Sequence, residues 1–77
     1  MVAADDTLPG VLYRLRKRAS LSVADVAEAM GRTKSTVYLW ETAEGRIPVK
    51  QLAKLLQLYG ASTGEAASAW VLRSVQS

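Results

Sequence analysis

Residues 22–41, SVADVAEAMGRTKSTVYLWE, carry two helix starts and one helix stop. Ser22 followed three residues later by Asp25 has capping-box spacing: the hydroxyl accepts an N–H of the first turn, and the carboxylate reaches back to the Ser22 N–H. Val26, Ala27 and Met30 then share an inward face with Val23. Gly31 comes next, where a left-handed residue stops a helix and turns the chain. Thr33 is a second N-cap, placed to accept the N–H of Ser35 or Thr36, and Val37 and Trp40 give the next helix, ending near Glu41, one buried face.

Outward from this segment the pattern stays helical. On the N-terminal side, Leu12, Leu15 and Ala19 predict a helix over 11–19, preceded by a flexible arm over 1–9 that Pro9-Gly10 punctuates. The domain proper is then 10–77. On the C-terminal side, a loop over 42–47 holding Gly45 leads to Pro48, whose fixed φ suits the first position of a helix. That helix carries Val49, Leu52, Ala53, Leu55, Leu56 and Tyr59 as its apolar stripe and closes at Gly60. Ser62 and Glu65 repeat the capping-box spacing, and Ala66, Ala69, Trp70 and Val71 predict a fifth helix fading toward Gln76. No stretch alternates with period two, so the expected fold is an all-α, compact five-helix bundle.

With 77 residues, 49% of them hydrophobic, the chain holds one small core. A domain this size buries only about 60% of its unfolded surface, so stability must come from packing or a partner subunit. Cysteine and histidine are both missing, which excludes disulfides and thiolate chemistry and leaves no imidazole base or zinc ligand. The glycines are scattered rather than clustered in a phosphate-cradling loop. Neither enzyme nor cofactor is expected on these grounds. No apolar run reaches the roughly 20 residues that span a bilayer, and Asp5 and Asp6 stand where a signal peptide is basic, so a cytoplasmic, nucleoid-associated protein is expected.

Ten Lys and Arg against seven Asp and Glu give a net charge of +3, and placement matters more than the sum. Arg14, Arg16, Lys17 and Arg18 fill an acid-free stretch between Asp6 and Asp25; Arg32 and Lys34 lie in another, and Arg46, Lys50 and Lys54 come later. Such a basic face fits an anionic polymer.

Short helices joined by a tight glycine turn form a helix-turn-helix, in which one helix braces another against a DNA groove. Here the residues resemble the lambdoid phage repressor and Xre-like helix-turn-helix family, from Leu12 to about Gly60. Leu12, Leu15 and Arg16 are similar to its first-helix pattern, and Ser20-Leu21-Ser22 to its "Gly-Leu-Ser" opening with Ser in the Gly place. Ala27 resembles the small residue at the helix contact, Gly31 the turn glycine, and Thr33 to Val37 the start of the recognition helix. Trp40-Glu41 is similar to the end of that helix, and Gly45 and Pro48 to the loop beyond it.

The resemblance implies a lambda-repressor-like DNA-binding domain, acting as a transcriptional regulator on double-stranded DNA, and an ion pair between Arg16 and Glu41. On residue pattern alone a plain solvated Glu41 is the lesser alternative; a buried pair predicts that Glu41→Ala lowers the melting temperature more than Glu44→Ala. Facing away from Val37 and Trp40, Lys34, Ser35, Tyr38 and Leu39 are the candidate base contacts, with Lys34 able to donate to guanine O6 and N7. An ordinary solvated helix start is the alternative for Lys34 and Ser35. Candidate phosphate contacts are Arg14, Arg16, Lys17, Arg32, Thr33, Thr36, Thr42, Arg46 and Lys50. Val23 replaces a residue that is often glutamine in the family, Leu39 replaces one that is often polar, and the Glu41-to-Pro48 loop is one residue longer than usual.

Trp70, Val71, Leu72 and Val75 occupy more than one face of the last helix, more than a small monomer buries easily. Leu72 and Val75 are the candidate homodimer interface, while Trp70 is expected in the core against Leu55 and Leu56. The reading head fills the chain, so regulation is expected from a protein partner, proteolysis or mass action. An antitoxin-like or adaptor-like interaction module on the same scaffold, with Tyr38 and Leu39 on its contact surface, is the competing reading.

Overall fold

The computed structural model describes residues 7–42 and 47–76. These form five helices, α1 (Leu8–Arg18), α2 (Val23–Met30), α3 (Lys34–Thr42), α4 (Val49–Leu58) and α5 (Thr63–Gln76), and no strand among the described residues. The all-α, five-helix arrangement expected from the sequence is the one observed. The turn at Gly45, the candidate Arg46, the comparison residue Glu44, and residues 1–6 of the expected arm lie outside the described residues.

The core is one cluster to which every helix contributes. Leu12 and Leu15 of α1, Val26 of α2, Val37 of α3, Leu52 of α4 and Ala69 of α5 are each wholly buried, and Ile47 seals the end ahead of α4. α3 packs on both α1 and α2, α2 also meets α4, and α5 lies against α1. At nine residues α3 is too short to hold its shape alone. Val37 and Trp40, buried between α1 and α2, keep it folded.

Helix ends obey local chemistry. Ser22 and Asp25 form both halves of the expected capping box, each bond at 3.0 Å, and Ser62 and Glu65 do the same at 3.2 and 2.8 Å. Thr33 accepts the Thr36 N–H at 3.2 Å, which starts α3. The helices α1, α2 and α4 all end with the same pair of backbone bonds around a left-handed residue: Gly31 at φ 67° after α2, Gly60 at φ 68° after α4, and Ser20 at φ 60° after α1. For a residue with a Cβ that conformation costs about 1–2 kcal/mol, and Ser20 is the one non-glycine residue among those described that adopts it.

Three expectations need correction. α1 starts at Leu8 rather than Val11, because Thr7 caps it by accepting the Gly10 N–H at 3.2 Å and Pro9 sits in the first turn, where no N–H is required. Leu8 and Pro9, expected in the arm, are therefore buried in a helix. Pro48 stands just before α4, at ψ 148°, rather than in its first turn. The α4 stripe narrows to Leu52, Leu55, Leu56 and Tyr59, with Val49 and Ala53 exposed, because packing admits one face of the helix only.

Candidate nucleic-acid interface

The first turns of α3 project from the molecule. Lys34 and Ser35 are exposed, Tyr38 and Leu39 are more than half exposed, and the intervening Val37 is fully buried. This is what helical geometry demands of a rod that anchors one face and presents the other.

Arg16 and Glu41 fix the far end of that rod. The Arg16 Nε donates to Glu41 Oε2 at 2.7 Å and Nη2 donates to Oε1 at 3.0 Å, a two-pronged contact between α1 and α3. A third arm, Nη1, donates to the Leu21 carbonyl at 2.8 Å, so the same guanidinium also ties down the turn into α2. Both side chains are over nine-tenths buried. The hydrogen bonds it donates to Glu41 raise the Arg16 pKa above its ordinary value, with burial acting against them. Arg16 consequently leaves the set of phosphate contacts: its guanidinium is enclosed and occupied by protein acceptors.

Between the α1–α2 turn and the front of α3 runs a groove of about 720 Å³. Lys17, Ser20, Ser22 and Val23 form one wall and Lys34 and Tyr38 of α3 the other, with Arg16 also in the lining. None of the described residues lining it is acidic. The Tyr13 ring, nearly half exposed, lies 6.0 Å from the Lys17 ammonium and 5.3 Å from the Arg16 guanidinium carbon, within cation–π range of both. Val23, buried, gives this wall an apolar element where the family pattern often has a polar side chain.

The remaining candidates divide. Arg32, Thr33 and Lys50 are exposed, and Thr36 is half-buried. The hydroxyls of Thr33 and Thr36 lie 3.1 Å apart, and Thr42 donates to the Tyr38 carbonyl at 2.7 Å, so all three hydroxyls already serve α3 itself. Arg14 is turned toward Glu65, at 4.0 Å, on a side of α1 that does not line the groove. Sequence reasoning does not pick out Ser20 or Ser22 as groove residues; the available signal is the serine in a glycine place.

A braced, protruding helix joined to its support by a left-handed glycine defines the architecture, and comparison with known families matches residues 10–70 to the helix-turn-helix domain. The chain belongs to the helix-turn-helix family. No curated protein and no solved structure gives a significant match. Helix-turn-helix domains in general bind DNA; in this one the two helices joined by the glycine turn are α2 and α3, which pack on each other. Among the described residues no group of acidic side chains could hold a metal, and no helix is long and apolar enough to cross a membrane.

At the other end of the helix-turn-helix domain, Ala69 is buried and Trp70 is half-buried against the core cluster. Leu72 is half-buried and also packs on the core; Val71 and Val75 are the exposed large apolar residues of α5, at 60% and 75%.

Proposed function

We propose that the chain is a sequence-specific DNA-binding transcriptional regulator that inserts the front of α3 into the major groove and represses by occupying its site. The observation that carries this reading is the exposure of Lys34, Ser35 and Tyr38 beside a basic groove whose opposite wall holds Lys17. Lys34 supplies donors for guanine O6 and N7, Ser35 adapts to either base edge, and Tyr38 and Leu39 offer apolar contact to a thymine methyl. Lys17, Arg32, Thr33, Thr36, Thr42 and Lys50 are the proposed phosphate contacts, with the three threonines contributing weakly because their hydroxyls are already engaged. The exposure of Val71 and Val75 supports a homodimer through α5, which would set two copies of α3 about 34 Å apart on an inverted repeat.

Selection of bound duplexes from a random library tests the reading, followed by titration of the enriched duplex at increasing salt. An enriched inverted repeat is expected, with affinity falling steeply as salt rises. Lys34→Ala should weaken binding and relax preference at one base pair by about 1–3 kcal/mol. Lys17→Ala should weaken all duplexes alike and lower the salt slope by about one.

A second reading has its own support. Tyr38 and Leu39, both more than half exposed on one helix, would suit a protein-interaction module of the antitoxin or adaptor kind. Failure to enrich any duplex, with no salt-sensitive binding, would favour it.

A further inference from the structure

We propose that Ser20 contacts the DNA backbone, its hydroxyl donating to a phosphate oxygen of the strand that lies in the groove between Lys17 and Lys34. The proposal rests on the DNA-binding reading above and adds a residue to that site.

Two independent observations meet at this position. The first is conformational. The helices α1, α2 and α4 stop in the same way, and α2 and α4 place glycine at the left-handed residue, Gly31 and Gly60. α1 places Ser20 there, at φ 60°, where a Cβ is strained and glycine is not. A left-handed asparagine or aspartate offsets part of the strain with a local side-chain hydrogen bond. Ser20 makes no such bond within the described residues, so the fold itself gives no reason for a side chain here. Strain kept where a neighbouring turn does without it points to function.

The second observation is placement. Ser20 is exposed and lines the basic groove together with Lys17, Ser22, Lys34 and Tyr38. The Ser22 hydroxyl is held at the start of α2 by accepting the Asp25 N–H, whereas the Ser20 hydroxyl is committed to no side-chain hydrogen bond among the described residues and keeps its donor and both lone pairs. In a groove that Lys17 and Lys34 also line, the ligand that suits it is an anionic oxygen. A phosphodiester supplies one while keeping its second oxygen for Lys17 or Lys34.

Two variants test this by fluorescence anisotropy on labelled mixed-sequence duplexes, with thermal melts alongside. Ser20→Gly removes strain and hydroxyl together. It should melt about 4–8 °C higher yet bind about fivefold more weakly. Ser20→Ala keeps the Cβ and removes only the hydroxyl, and should lose the same affinity with no gain in melting temperature. Because no charge is lost, the salt slope should match that of the wild type in both. The loss should also be equal on duplexes of different sequence. Wild-type-like or tighter binding by Ser20→Gly would overturn the Ser20 contact while leaving the DNA-binding reading intact, as would a loss confined to one sequence. Absence of salt-sensitive duplex binding by the wild type would overturn both. If Ser20→Ala fails to fold, Ser20→Gly decides alone.

Discussion

Arg16 and Glu41 show how much can depend on one pair of side chains in a small domain. Their contact joins α1 to α3, and the third arm of the guanidinium holds the turn that leads into α2. With both partners buried, removing one leaves an enclosed charge without a counterion, a loss of about 3–5 kcal/mol. At roughly 4–8 °C for each kcal/mol in a domain of this size, Glu41→Ala should lower the melting temperature by about 12 °C or more, measured by circular dichroism. A drop of only a few degrees would mean that solvent reaches the site and the pair contributes little. The pairing is legible in the sequence through resemblance alone, since 25 residues separate the partners and no local pattern links them. The same pairing explains why Arg16 is misread as a phosphate contact: a basic residue in an acid-free stretch reads as surface until the opposing carboxylate is located.

At the scale of elements, the sequence is most informative where chemistry is local. The capping boxes at Ser22 and Ser62, the Thr33 cap and the left-handed glycines at 31 and 60 each need only residues three or four apart, and all are readable from the sequence. Errors arise where tertiary packing decides. Pro9-Gly10 has the composition of a turn, but burial of Leu8 and capping by Thr7 draw both residues into α1. Val49 and Ala53 fit the helical period and are still exposed, because the neighbours of α4 cover a narrower face than the period allows. Gly31, between α2 and α3, stands in open space. No atom stands within 4 Å of a Cβ built there, so Gly31→Ala meets only the cost of its φ of +67°. The expected loss is about 1–2 kcal/mol by denaturant titration. A neutral result would show that the turn between α2 and α3 can relax to a right-handed form.

Across the whole molecule, α5 works as a strap. Glu65 at its start accepts hydrogen bonds from Arg18 of α1 and from the Ser62 N–H, Arg18 also reaches the Gly60 carbonyl at 3.4 Å, and near the C-terminal end the Arg73 Nε donates to the Ile47 carbonyl at 2.9 Å. The Arg18 hydrogen bond, then that of the Ser62 backbone, holds the Glu65 carboxyl at about 2, below its ordinary 4.5. Asp25 is lowered in the same direction, chiefly by the Ser22 backbone N–H. A carboxylate with a depressed pKa stabilises the fold fully above its unfolded value and loses that contribution as pH falls through its folded value. Melting temperature should therefore decline as pH drops from about 4.5 toward about 2, and Glu65→Gln should flatten part of that decline. Because the pair with Arg18 is exposed, added salt should weaken its effect; identical acid profiles for variant and wild type would remove Glu65 from the strap.

In the proposed function, the front of α3 and the groove beside it meet the duplex while α5 lies away from it. Backbone amide chemical shifts tracked by NMR during titration with duplex DNA test it most directly. The largest changes are expected on Lys17 to Val23 and on Arg32 to Leu39, with Val71 and Val75 nearly unmoved at protein concentrations where the oligomeric state stays constant. Changes centred on α5, with Lys34, Ser35 and Tyr38 unperturbed, would contradict it.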